Sequence, residues 1–90
     1  MSETIFKYVL HPDETEIRVP IGAEVLSAGT QGEEILVWVK INKDAYDLNE
    51  LESRNFVVFG TGHPIPHGVS YKFVSTVFME WMVFHVFEIV

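Results

Sequence analysis

Apolar side chains recur at alternate positions through most of this chain, which is the period of a pleated strand and not of a helix. Segment 35–41 is the clearest case. Ile35, Val37, Val39 and Ile41 share one face, and Leu36, Trp38 and Lys40 share the other. Segment 15–19 alternates as cleanly, with Ile17 and Val19 opposed to Glu16 and Arg18. Segments 5–10, 24–30, 56–59, 71–79 and 81–89 also read as strands. Between them stand turn-forming residues: His11-Pro12-Asp13, Pro20 with Gly22, Gln31-Gly32-Glu33, and Glu80. A glycine- and proline-rich loop runs from 60 to 70. Segment 42–53 is polar, and Leu48 and Leu51 lie three apart, which fits a solvated loop or a single helical turn. The pattern predicts one all-β domain over residues 1–90. It would have about seven mainly antiparallel strands in a small sandwich or barrel.

The last two strand segments break the rule that one sheet face is wet. Tyr71, Phe73 and Val77 oppose Val74 and Phe78, and Trp81, Val83, Phe87 and Ile89 oppose Met82, Phe84 and Val86. A sheet apolar on both sides needs a cover on its second face. A chain of this size buries only about 60–65% of its unfolded surface and has little helix to offer. A second copy is the expected cover, so the chain is expected to form a homo-oligomer, a dimer or higher.

Charge narrows the partners. Thirteen acidic residues against six basic ones leave a net charge of -7, which excludes duplex nucleic acid as an obvious ligand. The charge is uneven, because residues 1–52 carry all of it and residues 53–90 are neutral. Without cysteine there is no disulfide, thiolate metal site or thiol nucleophile. The longest stretch free of charged residues, 55–71, holds three glycines and two prolines and is no membrane span. Met1-Ser2-Glu3-Thr4 lacks a basic region ahead of an apolar run, so a cytosolic protein is expected.

The run Gly60-Thr61-Gly62-His63-Pro64-Ile65-Pro66-His67-Gly68 is the most unusual segment. Its glycines permit close backbone approach and a nest of N–H groups for an anion, and His63 and His67 add hydrogen-bonding groups. The same composition also suits a rigid connection between two sheets. It is neither a phosphate-binding P-loop nor a dinucleotide fingerprint, and no cofactor is expected. Polyproline-like backbone would hold His63 and His67 roughly 12 Å apart, so no metal site is expected. His85 lies on a strand face, where a core or interface role is expected. No serine has nucleophile-elbow context, which leaves a His63–His67 acid–base scheme as the one hydrolytic reading.

Several segments together resemble a group of small, uncharacterised phage and prophage proteins. They are Thr4-Ile5-Phe6-Lys7-Tyr8, Val19-Pro20 with Gly22-Ala23 and Val25-Leu26-Ser27, Trp38, the run from Phe59 through Pro66, and the ending Phe84-His85-Val86-Phe87-Glu88. In that group a glycine-containing hairpin often precedes the last strand, where this chain has Met79-Glu80-Trp81. The resemblance implies phage origin, action in the host cytoplasm and no assigned reaction. A class expectation follows: a counter-defence protein that captures a host component without catalysis. The ligand would be nucleotide-derived and bound at loop 60–68, with Gly60, Thr61 and Gly62 toward phosphate, His63 and His67 as hydrogen-bond partners, and Trp38 or Tyr71 against a base. Two alternatives stay open. One is an acidic inhibitor of a host nucleic-acid-related protein, using the carboxylates of the first half. The other is a small His-dependent hydrolase.

Overall fold

A computed structural model of the chain describes residues 2–90. Among the described residues there are seven strands and one short helix: β1 (Glu3–Leu10), β2 (Asp13–Pro20), β3 (Glu24–Gln31), β4 (Glu34–Asn42), α1 (Lys43–Asp47), β5 (Leu51–Gly60), β6 (Tyr71–Met79) and β7 (Met82–Ile89). They form a three-stranded sheet, β1-β4-β3, and a four-stranded sheet, β2-β5-β7-β6. Every pairing is antiparallel, so the all-β expectation is met in its sandwich form. No helix among the described residues is long and apolar enough to cross a membrane.

Alternation decides what lies between the sheets. Val37, Val39 and Ile41 of β4 meet Ile17 and Val19 of β2, Phe56 of β5, Val77 of β6 and Val86 of β7 in one core. Phe6, Tyr8, Ile35, Val58, Val74 and Phe84 pack around it. Leu36 points the other way, yet it is fully buried. It pairs with Val9 and Gly29, and a hydrogen bond from Lys7 Nζ to Gln31 Oε1 (2.6 Å) spans β4 beside it. Next along β4, the Trp38 indole lies flat on Gly29, where an added Cβ would stand 2.7 Å from its Cζ3. The outer side of the smaller sheet is thus partly roofed by its own side chains.

The two sheets also touch along one edge. The Ala28 N–H donates to Ser75 Oγ at 2.9 Å, and the Thr30 hydroxyl donates to the Phe78 carbonyl at 3.2 Å. Both edge strands carry a register shift near this contact, between Val25 and Ser27 in β3 and between Phe73 and Ser75 in β6. The β6 shift corrects the strict alternation read from the sequence. It turns Val77 inward with Val74, while Tyr71, Phe73, Thr76 and Phe78 line the outer side.

Of the two readings of segment 42–53 the structure takes the helical one, and two element boundaries differ from expectation. Segment 42–53 holds a single helical turn, whose Asn42 side chain accepts from the Ala45 N–H at 3.0 Å. β5 then starts at Leu51 and not at 56, because the polar stretch 51–55 pairs residue by residue with β2. Trp81 belongs to a two-residue hairpin with Glu80, outside β7, and is 82% exposed. Glu80 there takes φ of 57°, the left-handed backbone for which glycine is usual.

At the end of the sandwich where β5 begins, Arg54 and Glu88 point inward from neighbouring strands. Arg54 Nη2 donates to Glu88 Oε1 at 2.9 Å and its Nε to Oε2, while Nη1 donates to the Ala23 carbonyl at 2.9 Å. Glu88 is buried, and its hydrogen bond with Arg54 raises the arginine's proton affinity against the opposing effect of burial. Removal of one partner leaves an uncompensated buried charge. Arg54→Met alone is expected to lower the unfolding free energy by about 3 kcal/mol, and the double change Arg54→Met/Glu88→Leu to recover most of it, as read by urea denaturation.

Tyr8 supplies a pH dependence. Its hydroxyl is buried without a hydrogen-bond partner among the described residues, and burial, with a smaller contribution from Tyr46, raises its pKa above the usual 10.0. The unfolded chain therefore loses this proton first as pH rises. The contribution of Tyr8 to stability is complete below pH 10 and is lost as pH climbs through the folded-state value. Tyr8→Phe is expected to flatten the alkaline limb of a stability-versus-pH curve and to leave the neutral protein as stable or about 1 kcal/mol more so.

Candidate functional site

Loop 61–70 leaves β5 and returns to β6 along the outer side of the four-stranded sheet. Its first residues are tied to β7. The Thr61 N–H and hydroxyl both donate to the Val83 carbonyl, at 3.2 and 3.3 Å, and Thr61 Oγ1 lies 2.8 Å from His85 Nε2. The other ring nitrogen of His85, Nδ1, lies 3.0 Å from Thr76 Oγ1. Since the Thr61 proton goes to Val83, its oxygen accepts from Nε2–H, which leaves Nδ1 to accept from the Thr76 hydroxyl. His85 thus pins loop, β7 and β6 together, and no carboxylate orients it.

His63 folds back on the loop. Its N–H donates to the Gly60 carbonyl at 3.1 Å, and its ring lies so close to Gly60 that an added Cβ would stand 2.8 Å from Nδ1. Glycine is needed at 60 for this approach. With the amides of Thr61 and His63 both engaged, the run of free N–H groups read from the sequence is not assembled.

Between the loop and the sheet lies an open cleft of about 510 Å³, lined by Phe59, His63, Pro64, Pro66, Val69 and Tyr71, with Asp13 and Glu14 at its side. The aromatic rings at its foot continue as a cluster. Phe59 meets Tyr71 edge to face at 5.6 Å and Phe87 at 5.9 Å, and Phe73 meets Phe87 at 5.5 Å. Phe73 is 55% exposed and Phe78, further along β6, is 67% exposed. The register places no Asp, Glu, Lys or Arg on the outer side of β5, β7 or β6. An apolar, uncharged surface of this kind marks an interaction site more often than a plain exterior.

The structure therefore brings His63 and Tyr71 into one cleft, while Gly60, Thr61 and Gly62 are not among the residues that line it. His67 is exposed in the loop. Trp38 is not part of this site, because it belongs to the outer side of the other sheet and covers Gly29. Phe59, Phe73, Thr76 and His85 join the site without having been singled out for it. The alternation Val83-His85-Phe87-Ile89 is the visible signal for His85. Among the described residues, no group of three His, Asp or Glu side chains is arranged to hold a metal ion.

The carboxylates of the first half are distributed over several elements. Glu24 pairs with Lys40 at 3.3 Å, Asp47 pairs with Lys43, and Glu52 accepts from the Gly22 N–H at 3.0 Å. Glu14 and Glu16 lie on the edge strand β2, and Glu33 and Glu34 at the β3–β4 hairpin.

Fold and site together define a small antiparallel β sandwich with an aromatic surface, free of charge over β5, β7 and β6, beside a glycine–proline loop. The chain belongs to a family described as a domain of unknown function (DUF7352), whose model it matches over residues 1–90. No curated protein and no solved structure matches it.

His85→Ala removes both hydroxyl contacts. We expect a loss of about 1–2 kcal/mol in thermal unfolding, together with faster amide hydrogen exchange at Thr61 and His63. If exchange there is unchanged, His85 does not anchor the loop.

Proposed function

We propose that this chain is a non-enzymatic phage or prophage protein that acts in the host cytoplasm by capturing a small nucleotide-derived signal. The observation that carries the reading is the aromatic cluster at the foot of loop 61–70. Tyr71 and Phe59 wall a cleft that is open on one side, with His63 opposite. A planar base can stack on such rings whatever its identity, and an imidazole can hydrogen-bond its edge. The base end is the part this site recognises. Asp13 and Glu14 disfavour phosphate inside the cleft, so phosphate is directed outward toward His67.

A second copy fits the same reading. Net charge of -7 makes two chains repel, except where they meet through surfaces without charge. The outer side of β5, β7 and β6 is such a surface, and Phe73 and Phe78 on it would lose contact with water. Pairing there sets the loop of each copy beside the seam, where the partner closes the open side of the cleft.

The test is a thermal-shift screen with cyclic dinucleotides and ADP-ribose derivatives, run beside light scattering on the same samples. A ligand at a hundredfold excess over Kd is expected to raise Tm by about 10 °C or more, and Tyr71→Ala to abolish the rise. Scattering is expected to give a multiple of 10.3 kDa that falls to one subunit in Phe78→Glu. Folded protein with no shift for any ligand overturns the nucleotide reading. A single subunit at micromolar concentration overturns the pairing.

A further inference from the structure

The two ends of the sandwich are finished differently. At one end α1 acts as a plug, with Tyr46 packed edge to face on Phe6 at 5.0 Å. At the other, where β1, β5 and β6 stop and β4 and β7 start, no helix or strand among the described residues lies across the gap between the sheets. Leu10, Ile35, Val58, Met79 and Phe84 form the floor of a cleft there, of about 380 Å³. Ile35, Val58 and Phe84 are only partly buried although they pack directly on the core.

Turns bound this cleft. The rim is built by His11, Pro12 and Asp13 of the β1–β2 turn, Glu33 and Glu34 of the β3–β4 hairpin, and Gly60 with His63. It holds three carboxylates and two imidazoles, and no lysine or arginine. None of the three carboxylates has an ion-pair partner among the described residues. A cleft enclosed by turns cannot pass a peptide through, and its volume lies at the small end of the range for low-molecular-weight ligands. The apolar floor takes hydrocarbon, and the rim favours positive charge with N–H donors.

We propose that this open end is a second binding site, adjoining the loop cleft, for a compact apolar cation such as an alkyl- or arylammonium ion. The hydrocarbon part rests on Ile35, Val58 and Phe84. The ammonium group sits between Asp13 and the Glu33–Glu34 pair, with the imidazoles of His11 and His63 in reach as acceptors. The site shares Asp13, Val58 and His63 with the loop cleft, but it faces the space between the sheets and includes none of the outer aromatics on which the nucleotide reading rests.

Octylamine, octan-1-ol and octanoate serve as matched cationic, neutral and anionic probes, followed by calorimetry and amide chemical shifts on the full chain. Octylamine is expected to saturate, about tenfold tighter than octan-1-ol, and octanoate to bind weakest. Shifts should concentrate at Ile35, Val58 and Phe84. In Glu33→Gln/Glu34→Gln the preference for the amine should shrink to about twofold with the alcohol unaffected, and 0.5 M salt should narrow the wild-type gap. Tyr71→Ala should bind octylamine as the wild type does, which separates this site from the loop cleft. Three results each overturn the proposal: no saturable amine binding by folded protein, equal affinity for alcohol and amine, or shifts centred on Tyr71 and Phe73.

Discussion

A sandwich of this size has one interior, and each sheet can bury only one of its faces in it. The remaining features of the molecule follow from what happens to the two faces left over. On the smaller sheet the chain solves the problem internally, since Trp38 lies across Gly29 and the Lys7–Gln31 hydrogen bond spans β4 beside Leu36. On the larger sheet it does not. Phe59, Tyr71, Phe73 and Phe87 cover one another only in part, and Phe78 is left in water. The same physical constraint thus gives a quiet face and a face fit for contact.

Edges and ends show a comparable asymmetry. The β3–β6 edges meet through two side-chain-to-backbone hydrogen bonds near paired register shifts, which blunts both as templates for further strands. Where β5 begins, the space between the sheets takes a salt-bridged pair, Arg54 and Glu88, with the arginine also held by the Ala23 carbonyl. Such a pair adds little net stability, because its desolvation offsets much of the mutual attraction. At the opposite end no such pair stands among the described residues, and Ile35, Val58 and Phe84 remain only partly buried.

Local legibility was high where alternation was clean. The inward set Ile35, Val37, Val39 and Ile41 could be read directly, as could the turn at 11–13 and the hairpin at 31–33. Elsewhere the signal was incomplete. Residues 51–55 are too polar to read as strand, and only pairing with β2, some thirty residues earlier, makes them one. Val77 enters the core because one residue of β6 is looped out of register, an event that leaves no local mark in composition. Of the proposed ligand-binding residues, His63 and Tyr71 share a cleft because the loop that carries His63 leads into the strand that begins at Tyr71, whereas Trp38 belongs to the other sheet.

By itself, then, the sequence determined that this chain is a stack of antiparallel strands with an aromatic second half of zero net charge. A side chain's face on a strand depends on its immediate neighbours, and so does a turn. Only the tertiary structure decided which strands pair, that Arg54 and Glu88 meet inside, that His85 pins the loop, and which end of the sandwich stays open. Those outcomes rest on contacts between residues far apart in the chain, and they are selected by the competition to bury one common core.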